Sequence, residues 1–382
     1  MSPVAQLKIS KPDLVATARR LGPQLAEAAA TNDDSDTFAA ASYPHLKEAG
    51  LIDAGVPTEL GGGGAEVDEL CAMLRELAHH CSSTALALAM HTHQVAVPAW
   101  RWRHQNATAV EPLLRRIAKE RIVVVTSGGS DWVAGGGKAE RVEGGYRITA
   151  RKVFASGSPM GDLMMTSAIL EEEGQPPVVL HFGIPMNSPH LRIEPTWKAM
   201  GMRGTGSNDI VIDGHVVPEQ AVAVRRPAGE WHPLFHVIAM VALPLIYSVY
   251  LGVAESARDI ALAMARKRRQ DHHLIQLTGS MEIELRAAQI AQSSMIATAM
   301  RGEPGPQTVN DVMIARQLVA RHAIRAVELA MEMAGGAAYY RSAGLERRFR
   351  DVQGARYHPM QESQQKEFAG RMALGLPVDK VF

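Results

Sequence analysis

Apolar residues recur at helical spacing through the first third of the chain, turn to short runs in the middle, and return to helical spacing until the end. Leu14, Ala18, Leu21 and Leu25 trace one amphipathic stripe, and Leu70, Met73, Leu74 and Leu77 another. Val56-Pro57 and the glycines at 61 to 64 break the chain between them. From about Arg121 the runs shorten. Ile122 to Val125, Tyr146 to Thr149, Leu163 to Ala168, Val178 to Ile184 and Asp209 to Ile212 are apolar or alternating and bounded by Gly, Pro, Asn or Ser. Such spacing predicts a small antiparallel barrel or sandwich. Helical spacing resumes near His236, in a long helix that Pro244 should kink. A helix over about 281–300 and another over about 309–333 follow, separated by a polar break at Gly302 to Pro306. The order predicts an α+β protein with an all-α domain over 1–120, a β domain over 121–225 and a helical bundle over 226–382.

Composition narrows the function. The 382 residues carry 40 basic and 40 acidic side chains, a balance that disfavours nucleic acid as the main partner. The two cysteines, Cys71 and Cys81, fit a reducing compartment rather than a disulfide framework. No basic-then-apolar leader and no bilayer-length apolar run are apparent, so the expectation is a cytoplasmic protein with no membrane association. No His-Glu-x-x-His or Cys-x-x-Cys pattern supports a metal site. Gly61–Gly64 and Gly135–Gly137 lack the strand-to-helix setting of a nicotinamide fingerprint.

Three phrases in the β region can carry chemistry. Trp197 to Asp209 places glycines at 201, 204 and 206, which let backbone approach a ligand, beside Arg203, Thr205 and Ser207. Arg151 to Gly157 offers an aromatic, Phe154, with the hydroxyl of Ser156 and the turn residue Gly157. Val125 to Trp132 supplies Thr126 and Ser130. Among the histidines, His91 and His93 follow an apolar helical run and, two apart, lie on different faces. His358 stands beside Pro359, with Glu362 a few residues on.

The stretch from Arg350 to Pro359, with Gly335-Gly336 and Leu345-Glu346-Arg347 before it, resembles the C-terminal signature of the acyl-CoA dehydrogenase superfamily. The Trp197–Asp209 and Arg151–Gly157 phrases resemble that superfamily's flavin-contacting loops, and the likeness extends from about residue 13 to 375. The resemblance implies that superfamily's fold: an N-terminal helical domain, a central β-barrel and a C-terminal four-helix bundle. It implies bound FAD, or FMN, contacted by Thr126, Ser130, Phe154, Ser156, Gly157, Arg203, Thr205 and Ser207, and by Gly335 and Gly336 of a neighbouring subunit in a homodimer or homotetramer. In place of the relatives' flavin-phosphate motif stands Arg266-Lys267-Arg268-Arg269-Gln270. The loop at Ser127 is shorter than the dehydrogenase version. The position of the dehydrogenase base holds Pro359, and its alternative position falls near Ala242.

Two reactions therefore stay open. One is oxidation of an acyl thioester such as an acyl-CoA, with a carboxylate such as Glu362 as base and an electron-transfer flavoprotein as acceptor. The other is two-component monooxygenation of a small molecule with flavin from a reductase, His358 as acid or base and His93 facing the cleft. A member that has lost its chemistry and serves as a binding subunit is the third reading.

Overall fold

The computed structural model describes residues 13–131 and 134–378. Five helices open the chain: α1 (Leu14–Asp34), α2 (Ser42–Glu48), α3 (Val67–His80), α4 (Ser82–Gln105) and α5 (Glu111–Glu120). Local chemistry fixes their starts. Asp13 accepts from the Ala16 N–H at 2.9 Å, and Glu66 and Glu69 form a reciprocal capping box at α3.

Eight strands follow: β1 (Val124–Thr126), β2 (Lys138–Val142), β3 (Gly145–Ala155), β4 (Leu163–Leu170), β5 (Val178–Pro185), β6 (Leu191–Glu194), β7 (Asn208–Pro218) and β8 (Val224–Pro227). They make one sheet in the order β6-β7-β3-β2-β4-β5-β8, with β1 also on β4. The ladders are antiparallel except two: β1 and β2 both run parallel to β4, which an all-antiparallel expectation did not include.

Helices resume as α6 (Leu234–Ala265), α7 (His272–Arg301), α8 (Pro306–Ala334), α9 (Leu345–Val352) and α10 (Glu362–Leu374). The central beam is α6, which packs against α3, α4, α7, α8 and α9. It is long and apolar enough to cross a bilayer, contrary to the expectation that no such run exists. Its most apolar window is nevertheless 94% buried inside the protein, so the hydrophobic effect is satisfied by the surrounding helices. The helix also runs unbroken through Pro244. Ser248 and Gln292 donate to the Pro244 carbonyl at 2.8 and 2.9 Å, tying this turn to α7. Farther along α6, the Glu255 carboxylate accepts from Arg75 at 2.6 Å and from Gln289 at 2.7 Å, which joins α3, α6 and α7.

Candidate active site

The wall of the site is made where β3 ends. Lys152 pairs with Ile210 and Ala155 with Asn208, so β3 spends one more residue than β7 over that span. This bulge turns Phe154 out, 58% exposed and with φ at +56°, in the left-handed region. Trp197 meets the ring edge-on, with centroids 5.9 Å apart. Just past it, Gly157 N–H donates to the Thr205 carbonyl at 2.8 Å and Ser158 Oγ to the Gly206 carbonyl at 2.9 Å, so the two phrases become one surface. Three hydroxyls run through it. Thr205 donates to the Met202 carbonyl at 2.9 Å, Thr205 and Ser207 are 2.7 Å apart, and Ser207 and Ser156 are 2.7 Å apart. With Thr205's one proton committed, Ser207 donates to Thr205 and Ser156 to Ser207. Ser156 is left with lone pairs at the chain's end.

The loop after β1 closes against this wall. Gly128 N–H donates to the Val153 carbonyl at 2.8 Å, and a Cβ at Gly128 would lie 3.0 Å from that of Phe154. Beneath it Lys152, 1% exposed, donates to Asp131 at 2.7 Å and to the Gly136 carbonyl at 2.7 Å. Desolvation pulls the Lys152 pKa down and the Asp131 charge opposes that. Asp131 also accepts from Ser127 Oγ, and buried Arg226 reaches the Asp131 carbonyl at 3.4 Å and His181 at 3.0 Å. The loop therefore rests on a buried charged network.

The C-terminal segment supplies the third side. Arg350 binds Asp33 at 3.0 Å, Glu346 at 2.7 Å and the Met200 carbonyl at 3.0 Å. Asp351 is buried and accepts from the Met202 N–H at 2.5 Å and from Ser82. Burial pushes its pKa up. The Arg-Asp pair is thus a structural joint between α9, the 197–209 loop and the N-terminal helices. Beyond it, Tyr247 of α6 donates to the Ala355 carbonyl at 2.8 Å, and Arg316 of α8, stacked on the Tyr247 ring, donates to the Met360 carbonyl. Pro359 lies against Gly129, where a Cβ would come within 2.2 Å of the proline ring. His358 projects beside it, half-buried, with Nε2 2.5 Å from the Tyr250 hydroxyl. Desolvation, then Arg316 and His93, pushes the His358 pKa down to about 3.

Helix α4 contributes the two remaining histidines, with different roles. His91 Nε2 meets the Ile52 carbonyl at 2.8 Å, and its Nδ1 accepts from the Val124 N–H at 2.9 Å. Both nitrogens are used, so His91 bolts β1 to the N-terminal helices. His93 is buried, bonded to the Ala89 carbonyl at 3.2 Å and to Gln94 at 2.9 Å, and close enough to His358 to depress its pKa. Burial pushes its own pKa down to about 4.

Residues 13–115 match the family model for the acyl-CoA dehydrogenase N-terminal domain, and residues 245–362 match that for the C-terminal domain, together more than half of the chain. The chain belongs to the acyl-CoA dehydrogenase superfamily. Membership makes it a flavin-dependent oxidoreductase. It is 28% identical to an amino sugar nitrososynthase of Streptomyces peucetius, over 92% of this chain and 91% of that one. It is 26% identical to a putative acyl-CoA dehydrogenase of Bacillus subtilis, over 89% and 91%. Among solved structures, KijD3 in complex with FMN and dTDP-3-amino-2,3,6-trideoxy-4-keto-3-methyl-D-glucose aligns with a TM-score of 0.87 at 26% identity, over 98% of this chain and 96% of that one. A nitrososynthase and a putative acyl-CoA dehydrogenase thus stand at similar distance from this chain.

The structure joins Phe154, Ser156, Gly157, Thr205 and Ser207 in one surface, and the loop after Thr126 packs on it through Gly128 and on Pro359, next to His358, through Gly129. The side chain of Ser130, and Trp132, lie outside the described residues. Several expected residues sit elsewhere. Arg203 is occupied by Asp36 at 3.4 Å and by the Ala199 and Asp33 carbonyls, so its charge closes the loop onto α1. Glu362 opens α10 on the surface, paired with Arg321 at 2.5 Å and Lys366 at 2.8 Å, which holds its pKa down at about 2 and turns it from the His358 cluster. Gly335 and Gly336, expected at a neighbouring subunit's flavin, follow α8 with open space where a Cβ would stand. Tyr250, Tyr247 and Arg316 were not anticipated. They lie in helical stripes that look like core, and only the pairing with 355–360 reveals them.

Proposed function

We propose that the protein is a flavin-dependent monooxygenase that works with reduced flavin, FAD or FMN, supplied by a flavin reductase. The observation that carries this reading is the state of the carboxylates. Abstraction of an α proton from an acyl thioester needs a free carboxylate at the flavin. Pro359 and the buried Ala242 stand at the two positions where that base would fall. Of the carboxylates built into the cluster, Asp131 is held by Lys152 and Ser127, and Asp351 by Ser82 and the Met202 N–H. What stands there instead is His358, with Nε2 on the Tyr250 hydroxyl and its pKa pushed down by burial, Arg316 and His93.

The residues present fit a flavin. Phe154 offers an exposed aromatic face, the Gly128 backbone is too close to that wall to carry a side chain, and Ser156 ends the hydroxyl chain with a free acceptor. When bound, reduced flavin supplies the electrons that activate oxygen for insertion into a substrate. Phe154 and Trp197 would hold the ring, the 127–131 loop would exclude water beside them, and His358, next to the Pro359 that packs on that loop, would offer a hydrogen bond. Substrates to try first are amine-bearing sugars, in keeping with the amino sugar nitrososynthase to which the chain is similar.

The test supplies reduced flavin enzymatically, with oxygen and a substrate panel, and follows oxygenated product by mass spectrometry. In parallel, acyl-CoAs of varied chain length are added anaerobically to the oxidised flavin complex. Oxygenated product without bleaching of the flavin is the expected outcome. Bleaching by an acyl-CoA would overturn the reading in favour of dehydrogenation.

The same reading includes a homo-oligomer. Ile290 of α7 and Ile314 and Leu318 of α8 are exposed along a groove of about 630 Å³ lined also by Ala287 and Ala291, and exposed Ile283 precedes Ile290 on α7, a face that a second copy would cover. Sedimentation should show a dimer or tetramer, and Ile290→Lys should shift it toward monomer. An unchanged assembly would remove this face as the interface.

A further inference from the structure

We infer that the Tyr250 hydroxyl locks His358 into its Nδ1–H tautomer, so that His358 meets the reacting molecule as a neutral hydrogen-bond donor and Tyr250 is its positioning residue. This deepens the monooxygenase reading, on which the donor's role rests; the tautomer itself rests on geometry alone.

Tyr250 is fully buried on α6, and its hydroxyl lies 2.5 Å from His358 Nε2. The space around that hydroxyl is tight, since a Cβ at Gly354 would come within 2.8 Å of it. The neighbouring Ala355 carbonyl is already taken by Tyr247. A tyrosine hydroxyl carries one proton and must place it. His358 Nε2 is the acceptor within reach among the described residues, and a buried hydroxyl hydrogen with no acceptor is costly. If Nε2 accepts, the ring proton resides on Nδ1. His358 Nδ1 has no partner in the protein among the described residues and is not an enclosed atom, so it is the nitrogen left for a ligand.

The surroundings keep the ring uncharged. The buried Arg316 guanidinium from α8 donates to the Met360 carbonyl and lies 3.4 Å from the His358 carbonyl, and His93 faces it from α4. On α6, Tyr247 lies edge-on at 6.2 Å between ring centroids, and Asp351 acts on Tyr250 rather than on His358. A cation in this position would meet the arginine with no carboxylate to offset it. A neutral imidazole with a fixed N–H is suited to stabilise negative charge growing on an oxygen, and unsuited to take a proton at neutral pH.

The experiment is a long-range proton–nitrogen correlation spectrum of protein labelled with nitrogen-15 in its histidine rings, with the His358 signals identified by His358→Gln. Wild-type His358 should show the neutral Nδ1–H pattern from about pH 5 to about pH 8, a span across which a free histidine titrates. Tyr250→Phe should convert it to the Nε2–H form or a mixture. Tyr247→Phe, which removes the adjacent hydroxyl and perturbs the same packing, should leave the pattern unchanged. An Nε2–H pattern in the wild type, or a Tyr250→Phe spectrum identical to it, would overturn the proposal. These readouts need no turnover. A tautomer that follows Tyr250 in a protein that oxygenates nothing would sink the monooxygenase reading and leave the lock standing.

Discussion

His358→Ala should abolish oxygenated product, by about 10²- to 10⁴-fold, while oxygen consumption in the presence of reduced flavin continues. The ring is held by Tyr250, and its backbone is fixed by Arg316. Nothing among the described residues replaces it. Glu362 is committed to Arg321 and Lys366, and His93 to the Ala89 carbonyl and Gln94. Truncation should therefore separate reduction of oxygen from its transfer to substrate. The readout is the ratio of hydrogen peroxide released to product formed, which should rise toward complete uncoupling. Product formation within about threefold of wild type would remove His358 from the reaction. His358→Gln, which retains an N–H donor, should recover part of the coupling if a donor is what the site needs.

Lys152→Met should destabilise the fold by about 3–5 kcal/mol, because it leaves the Asp131 carboxylate enclosed without its cation. Lys152 is almost wholly buried and Asp131 mostly so, so solvent screens the pair little. The effect should not stop at stability. Asp131 also holds Ser127, and the loop between them packs on Phe154 through Gly128 and on Pro359 through Gly129. Flavin affinity should fall with it. Urea denaturation gives the first number and flavin titration the second. Replacing both partners, Lys152→Met with Asp131→Leu, should restore most of the stability, since well-packed apolar groups can stand in for a buried ion pair. A loss below about 1 kcal/mol in the single variant would show that the carboxylate finds another partner or takes up a proton.

The layout of helices, strands and helices was legible because hydrophobic period changes from helical to alternating near Arg121 and back near His236. The two parallel ladders on β4 were not, because strand partners are chosen by long-range packing that no local pattern records. Pro244 ends no helix: α6 continues through it, with Ser248 and Gln292 donating to its carbonyl. The glycines at 201, 204 and 206 drew attention to Thr205 and Ser207, and the resemblance to Phe154, Ser156 and His358; the structure links the three hydroxyls in one chain. Arg203 looked the same in sequence whether it faced a ligand or Asp36, and only the path of α1 decides that. Tyr250 and Arg316 gave no signal, since a polar tip in an apolar stripe matters only through the chain it meets, here more than 40 residues away along the sequence.

The left-handed turn at Phe154 sets stability and recognition against each other at one residue. A side chain with a Cβ in that region raises the energy of the folded backbone by roughly 1–2 kcal/mol, and the exposed ring recovers little by burial within this chain. Selection for folding alone would place glycine there, or straighten the bulge. On the monooxygenase reading the opposing energy would come from outside the polypeptide, from the flavin ring laid on Phe154. Binding would then return free energy that folding alone does not recover at this residue.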